Sequence, residues 1–347
     1  MTEQENRLNF ASDYLEGAHP AILQRLQETN FLKSPGYGTD DFSESAREKI
    51  REACQAPGAE IFFLAGGTQT NVTVIDALLR PWQGVLAAET GHISVHEAGA
   101  IEAGGHKVLT LEQQEGKITA DTVHQYAEKW MNDENHDHMV APGMVYISQP
   151  TESGTLYLLQ ELEALSSVCR EEGLLLYADG ARLAYSLACP INDVMLPDLA
   201  RLCDVFYIGG TKCGALFGEA VVFPKAGTAL HFFTIVKQHG ALLAKGRIAG
   251  IQFDTLFTEE LYQTIGQNAI QAADRIRKAL IKKGYKFAFD TPTNQIFIVL
   301  DQQQMKRLSC QVEMSFWEKP DEEHTIMRIA TSWATSREDV DRLIACL

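Results

Sequence analysis

Asp179 and Lys212 are the two residues whose type and setting best suit chemistry. Asp179 closes the run Leu174-Leu175-Leu176-Tyr177-Ala178-Asp179 and is followed by Gly180-Ala181-Arg182. Lys212 closes the run Asp204-Val205-Phe206-Tyr207-Ile208-Gly209-Gly210-Thr211-Lys212. Apolar runs bounded in this way read as buried strands of a parallel sheet. Open α/β sheets bind their ligands outside the carboxyl ends of such strands. An acid and an amine on successive strand ends suit a cofactor with a cationic ring nitrogen and an aldehyde, and pyridoxal phosphate is that cofactor.

Other residues add to this pair. Gly66-Gly67-Thr68-Gln69-Thr70-Asn71 sits between a strand and a helix, where free amides and the helix dipole favour a phosphate. It lacks the Gly-Lys-Ser/Thr of a P-loop and the spacing of a dinucleotide fingerprint. Lys225, Lys237 and Lys245 compete with Lys212 for the Schiff base, but only Lys212 ends a buried strand. Desolvation there lowers an amine's pKa and frees it as a nucleophile. His92 offers a flat imidazole to stack on a pyridine ring. His92 and His96, four apart, with Glu97 next, also permit a metal reading, although no third ligand with its supporting shell is evident. Arg182 lies near the same strand end, Lys237 or Lys245 would neutralise a phosphate, and Arg328 on a late strand suits a carboxylate fork.

These residues need a scaffold. Strand signals at 61–64, 85–88, 107–110, 144–147, 174–179 and 204–209 alternate with helix signals at 42–56, 72–79, 120–131 and 157–172. Asp41 and Glu44 resemble a capping box for the first of these. The alternation predicts an α/β fold, a mainly parallel sheet with helices on both faces. A long amphipathic helix over 255–283, strands at 295–300 and 325–330 and a last helix from Arg337 predict a smaller α+β unit. The expected organisation is an N-terminal arm and helix (1–30), a large cofactor-binding domain (31–250) and a small C-terminal domain (251–347).

Composition narrows the class. The 347 residues are 45% hydrophobic and 22% charged, ordinary for a globular protein, and the net charge of -16 argues against nucleic acid or an anionic membrane as partner. Seven cysteines without a CxxC pair read as reduced thiols. The polar start Met1–Asn6 lacks the apolar core of a signal peptide, and no stretch is long enough to span a bilayer, so a cytoplasmic location is expected.

The order Gly67-Thr68, His92, Asp179-Gly180-Ala181-Arg182, Lys212 and Arg328 resembles the threonine aldolase/β-eliminating lyase family, pyridoxal-phosphate enzymes of the aspartate-aminotransferase fold. The segments YGTDDFSE (37–44), HISVHEAGA (92–100), YADGARL (177–183) and GGTK (209–212) carry the likeness, which runs nearly the whole chain. The resemblance implies a seven-stranded-type sheet and these roles. Lys212 is the Schiff-base lysine, Asp179 pairs with the ring nitrogen, and His92 stacks on the ring. Gly67, Thr68 and Gln69 hold the phosphate, aided by Lys237 or Lys245 across a subunit interface. Arg328 and Ser12 bind the substrate carboxylate, Arg182 lies near it and the ring oxygen, and Tyr37 lines the site. It also implies a homo-oligomer, dimer or tetramer, with shared sites. One departure stands out: Ser148-Gln149-Pro150-Thr151-Glu152-Ser153-Gly154 holds no histidine where the family's Asn-Thr-His segment places one, and Glu152 is the candidate base there.

The expected activity is retro-aldol cleavage of a β-hydroxy-α-amino acid, threonine or allo-threonine, to glycine and an aldehyde. Rivals are β-elimination or another amino-acid conversion on the same cofactor, transamination included. Outside that class stand a cofactor-holding regulatory module and a non-catalytic or metal-binding α/β protein.

Overall fold

The computed structural model describes residues 7–347, so the polar start Met1–Asn6 lies outside the described residues. Seven strands form the main sheet, in the spatial order Glu60–Leu64, Glu219–Phe223, Val205–Gly209, Leu175–Asp179, Ala141–Ser148, Gln83–Ala88 and Val108–Leu111. Only Glu219–Phe223 runs antiparallel to its neighbours. The aspartate-aminotransferase type of sheet expected from the sequence is therefore present.

Period-2 alternation sends successive side chains of these strands into two different cores. Val145, Ile147, Leu176, Ala178, Phe206 and Ile208 enter one apolar cluster. Met144, Tyr146, Tyr177, Val205 and Tyr207 enter the other. Helices cover both faces, as runs buried on two sides require. The second face is unusual in carrying three tyrosines in a row on adjacent strands. Their hydroxyls need partners, and those partners lie in the site.

The smaller unit is a four-stranded antiparallel sheet built around Gln295–Asp301 and His324–Ala330, with the helix Arg337–Cys346 packed alongside. A two-residue strand, Leu8–Asn9, pairs in parallel with Val312–Glu313, so the N-terminal arm belongs to this unit's core through Leu8 and Phe10.

Two sequence expectations change. The helix expected over 255–283 runs from Leu261 to Lys282: it starts later because Glu259 and Glu260 adopt left-handed backbone conformations, which separate it from the preceding helix Arg247–Leu256. The helix starting at Asp41 is capped by Asp40, whose carboxylate accepts from the Ser43 amide (2.9 Å) and hydroxyl. Helix Leu261–Lys282 joins the two units. Tyr262, Ile265, Ala269 and Ile270 lie in the large core, and Ala272, Ala273, Ile276 and Leu280 in the small one. At Gly266 a Cβ would stand 2.0 Å from the Ala184 carbonyl, so glycine is what lets this helix approach the helix Leu183–Leu187.

Candidate active site

Asp179 is the last residue of its strand and shares a face with Tyr177, two residues back. Ser148 pairs with Asp179 in the sheet, and Ala178 pairs with Phe206, the residue before Tyr207. That register sets tyrosines on both sides of the acid. Tyr146 donates to Oδ2 (2.6 Å), Tyr207 to Oδ1 (2.5 Å), and the Ala181 amide to Oδ1 (3.0 Å). Asn71 adds a contact at 3.2 Å. Burial alone would raise the pKa of this carboxyl, but the adjacent His92 and these hydrogen bonds outweigh it and hold the group below the ordinary aspartate value. Asp179 is thus a buried, permanently ionised acid at neutral pH.

His92 opens a one-turn helix, and its Nδ1 lies 2.7 Å from Glu97, which also accepts from Asn71. Asn71 in turn accepts from Tyr177 (2.7 Å). The ring of His92 is therefore oriented by a carboxylate tied back to the Asp179 network. Among the described residues no three His, Cys, Asp or Glu side chains gather to hold a metal; Glu97 serves His92 instead.

Lys212 follows the strand Val205–Gly209 through Gly210 and Thr211. Its carbonyl accepts from Tyr185 (2.5 Å), while its amine has no hydrogen bond or ion pair among the described residues. Burial, then the Arg182 charge, lower its pKa, and Asp13, Asp179 and Glu219 oppose this only in part. Glu219 braces the turn below it, accepting from Thr211 (3.0 Å) and Gly210 (3.3 Å), and burial pushes its own pKa up to about 8.

A cavity of about 360 Å³ is lined by Gly67, His92, Ser148, Glu152, Asp179, Arg182, Tyr207 and Lys212, among others. A second, of about 810 Å³, shares His92, Glu152, Arg182 and Lys212 and continues to His96, Trp317 and Arg328. Arg328 donates to Gln295 (3.0 Å) and to the Ala11 carbonyl (3.1 Å), which places it beside Ser12. Arg328 Nε and Ser12 Oγ are both buried without a hydrogen-bond partner among the described residues. Arg328 lines the cavity, and its orphaned donor, close to that of Ser12, suits a carboxylate.

Arg182 is not free. Its Nε and Nη2 grip Asp13 at 2.6 and 3.1 Å, and Asn294 also donates to Asp13 (2.9 Å). Burial opposes ionisation of Asp13, but the Arg182 and Lys212 charges win, lowering its pKa from 3.8 to about 2. Because the folded value is the lower one, this stabilisation is present above about pH 4 and fades as the pH falls toward 2. The shift corresponds to about 2 kcal/mol. Urea midpoints across that window are expected to fall more steeply for the wild type than for Asp13→Asn; parallel slopes would remove Asp13 as the source.

Some expected residues do not arrive. Tyr37 and Lys237 pack together, the amine 4.7 Å from the ring centre, at a different pocket bordered by Arg47 and Phe63. Lys245 lines a third pocket with Lys33 and Ser34. The cause is local: the Tyr37 amide donates to the Ala244 carbonyl (3.2 Å), and Gly246 lies so close to Gly38 that a Cβ would stand 2.4 Å from its nitrogen. These segments are locked together away from their own chain's Lys212. Gln69 also differs, since its side-chain carbonyl accepts from Ala65 (3.2 Å), leaving its backbone amide as the group turned to the helix start. Sequence reasoning missed Asp13, Asn71, Tyr146, Tyr207 and Trp317, and read Glu97 only as a metal ligand, not as the partner of His92. Only the tyrosines left a signal, two residues before the carboxyl end of each strand.

A model of the beta-eliminating lyase family matches residues 9–303. The chain belongs to that family. Low specificity L-threonine aldolases of a Pseudomonas species and of Pseudomonas aeruginosa are 29% and 30% identical to this lyase-family chain, over 89% and 86% of it and 88% and 86% of their own lengths. The solved threonine aldolase of Leishmania major superposes with a TM-score of 0.94 at 40% identity, covering 97% of this chain and 98% of that one. Aspartate aminotransferase from Thermus thermophilus shares the fold at 14% identity, with a TM-score of 0.72.

The site fits the family's cofactor. Gly67 is a bare cradle, since a Cβ there would meet the Tyr207 hydroxyl at 3.2 Å. It opens the twelve-residue helix Gly67–Leu78, whose first amides, including those of Thr68 and Gln69, have no helical acceptor. The ionised Asp179 and the unpaired Lys212 amine share that cavity.

Proposed function

We propose that this chain is a pyridoxal-phosphate-dependent lyase of threonine aldolase type, cleaving the Cα–Cβ bond of threonine, allo-threonine or a similar β-hydroxy-α-amino acid to give glycine and an aldehyde. The observation that carries it is the pair of joined cavities: one holds Gly67, Asp179 and Lys212, and the other ends at Arg328 beside the unpartnered Ser12.

When bound, pyridoxal phosphate supplies an aldehyde that links to an amine and a protonated ring that draws electrons from the bond being broken. The chain's residues do the rest. The first amides of helix Gly67–Leu78 bind the phosphate. Asp179 keeps a proton on the ring nitrogen, because a group ionised at neutral pH stabilises the cation where an amide would not. Lys212 carries an amine whose pKa is lowered by burial and Arg182, ready to attack. Arg328 and Ser12 hold the substrate carboxylate, and Arg182, fixed by Asp13, adds positive charge to the same wall.

The same reading makes the enzyme a homo-oligomer in which Tyr37 and Lys237 or Lys245 complete a neighbour's site, which their distance from their own Lys212 supports. Free cysteines, five of the seven buried, suit the reducing cytoplasm. No helix among the described residues is long and apolar enough to cross a membrane.

The test is a product assay on the purified holoenzyme with threonine, allo-threonine, serine and cysteine, recording the visible spectrum in parallel. Glycine plus acetaldehyde from threonine is the expected result. Pyruvate plus ammonia would instead place the enzyme among the β-eliminating members, and the absence of any product would overturn the catalytic reading.

A further inference from the structure

His96 stands at the mouth of the larger cavity. It caps the one-turn helix His92–Val95, so it lies one turn beyond His92 on the same face, with ring centres 5.7 Å apart. On its other side is Trp317, at 6.3 Å. Arg182, Lys212, Glu152 and Arg328 line the same cavity. A substrate whose carboxylate sits on Arg328 and whose amine reaches Lys212 therefore has its side chain within this enclosure.

Besides the Lys212 amine, which the cofactor engages, three groups there can accept a proton, and two of these are already engaged. His92 Nδ1 is held by Glu97, and Glu152 Oε1 takes hydrogen bonds from Ser148 (2.6 Å) and the His92 amide (3.0 Å). Burial raises the pKa of Glu152 further. The His96 ring has no hydrogen bond to any described residue. Partial burial, then the His92 and Arg328 charges, lower its pKa, which favours the neutral imidazole a base requires.

We propose that His96 is the catalytic base that takes the proton of the substrate's β-hydroxyl, filling the role left without a histidine in the segment 148–154. This rests on the lyase reading above. In the step, the O–H bond breaks and its proton moves to a His96 ring nitrogen. The O–H electron pair becomes the second bond of the aldehyde carbonyl, and the Cα–Cβ pair departs with Cα. One proton is later returned to Cα to complete glycine, so the count balances with no oxidant or reductant.

The test compares wild-type holoenzyme with His96→Ala and His96→Gln. Because His96 is exposed and its ring makes no hydrogen bond to a described residue, both variants are expected to fold. Glycine has no β-hydroxyl, so exchange of its α-proton with deuterium, followed by NMR, reads cofactor and carboxylate binding without the proposed step. Threonine cleavage is expected to fall about 10²- to 10³-fold in both variants, with glycine exchange within about threefold of wild type. Added imidazole is expected to restore cleavage at least about tenfold to His96→Ala but not to His96→Gln. Cleavage near the wild-type rate, cleavage and exchange falling together, or a loss without rescue would each overturn the assignment. A wild type that exchanges glycine but cleaves no β-hydroxy amino acid would instead bring down the lyase reading, and this proposal with it.

Discussion

Lys212→Ala is expected to abolish both the colour and the catalysis of the enzyme. Wild-type protein purified with its cofactor should absorb in the visible range, and borohydride should fix the adduct on the peptide that contains Lys212. The alanine variant should show neither, and its turnover should fall by roughly 10⁴-fold or more, as expected for loss of a covalent nucleophile. The structure isolates this effect from folding. The groups that brace the segment, Tyr185 on the Lys212 carbonyl and Glu219 on Thr211 and Gly210, contact backbone or other residues and leave the amine untouched. Removing that amine relieves its proximity to Arg182 but withdraws a charge that helps ionise Asp13, so the melting temperature of the cofactor-free protein should change little. An adduct on Lys225, Lys237 or Lys245 in the wild type would reassign the lysine.

The second large effect is expected at Asp179. Asp179→Asn keeps the size and part of the hydrogen bonding: Tyr146 and Tyr207 donate to different oxygens, so one of them still donates to the amide oxygen while the other hydroxyl accepts from the amide NH2. It removes the charge. With no anion to hold a proton on the ring nitrogen, kcat should fall about 10²- to 10³-fold, while KM for the amino acid should change little, since Arg328 and Ser12 are untouched. The sign with pH follows from the lowered pKa. Asp179 is ionised throughout the neutral range, so its protonation should not shape the wild-type activity profile above about pH 5. Equal kcat values for wild type and variant would remove the electrostatic role. A fall in kcat/KM caused by KM alone would point to positioning instead.

Much of the scaffold was legible in the sequence because strand runs buried on both faces are nearly pure hydrophobic blocks. Those ending at Asp179 and Gly209 announced both the sheet and its working edge. The Asp179–Lys212 pair was readable for the same reason, as a polar residue at the end of an apolar run has few structural explanations. The interruption at Glu259–Glu260 was not, because neither residue is a breaker by type, and only the tertiary path of the chain puts them in left-handed conformations. Asp13 was hidden too. It lies in a short irregular arm, and its partner Arg182 is 169 residues away. Such contacts leave no local period for reasoning by pattern to find. Tyr37 and Lys245 show the opposite: a motif can be recognised while its place relative to its own chain's site stays invisible until the loops are seen to lock together.

The arm that carries Asp13 bears on how the enzyme is made. Leu8–Asn9 leaves the ribosome long before its partner Val312–Glu313. The Ala11 carbonyl that anchors Arg328 lies 317 residues before it. The parallel sheet and the helix Gly67–Leu78 can assemble while translation continues. The contact between Arg328 and the Ala11 carbonyl cannot form until the segment holding Arg328 has been made, because loop closure over such a span precedes any reward from the contacts it makes. A nascent chain should therefore order the start of helix Gly67–Leu78 well before Arg328 takes its place beside Ser12.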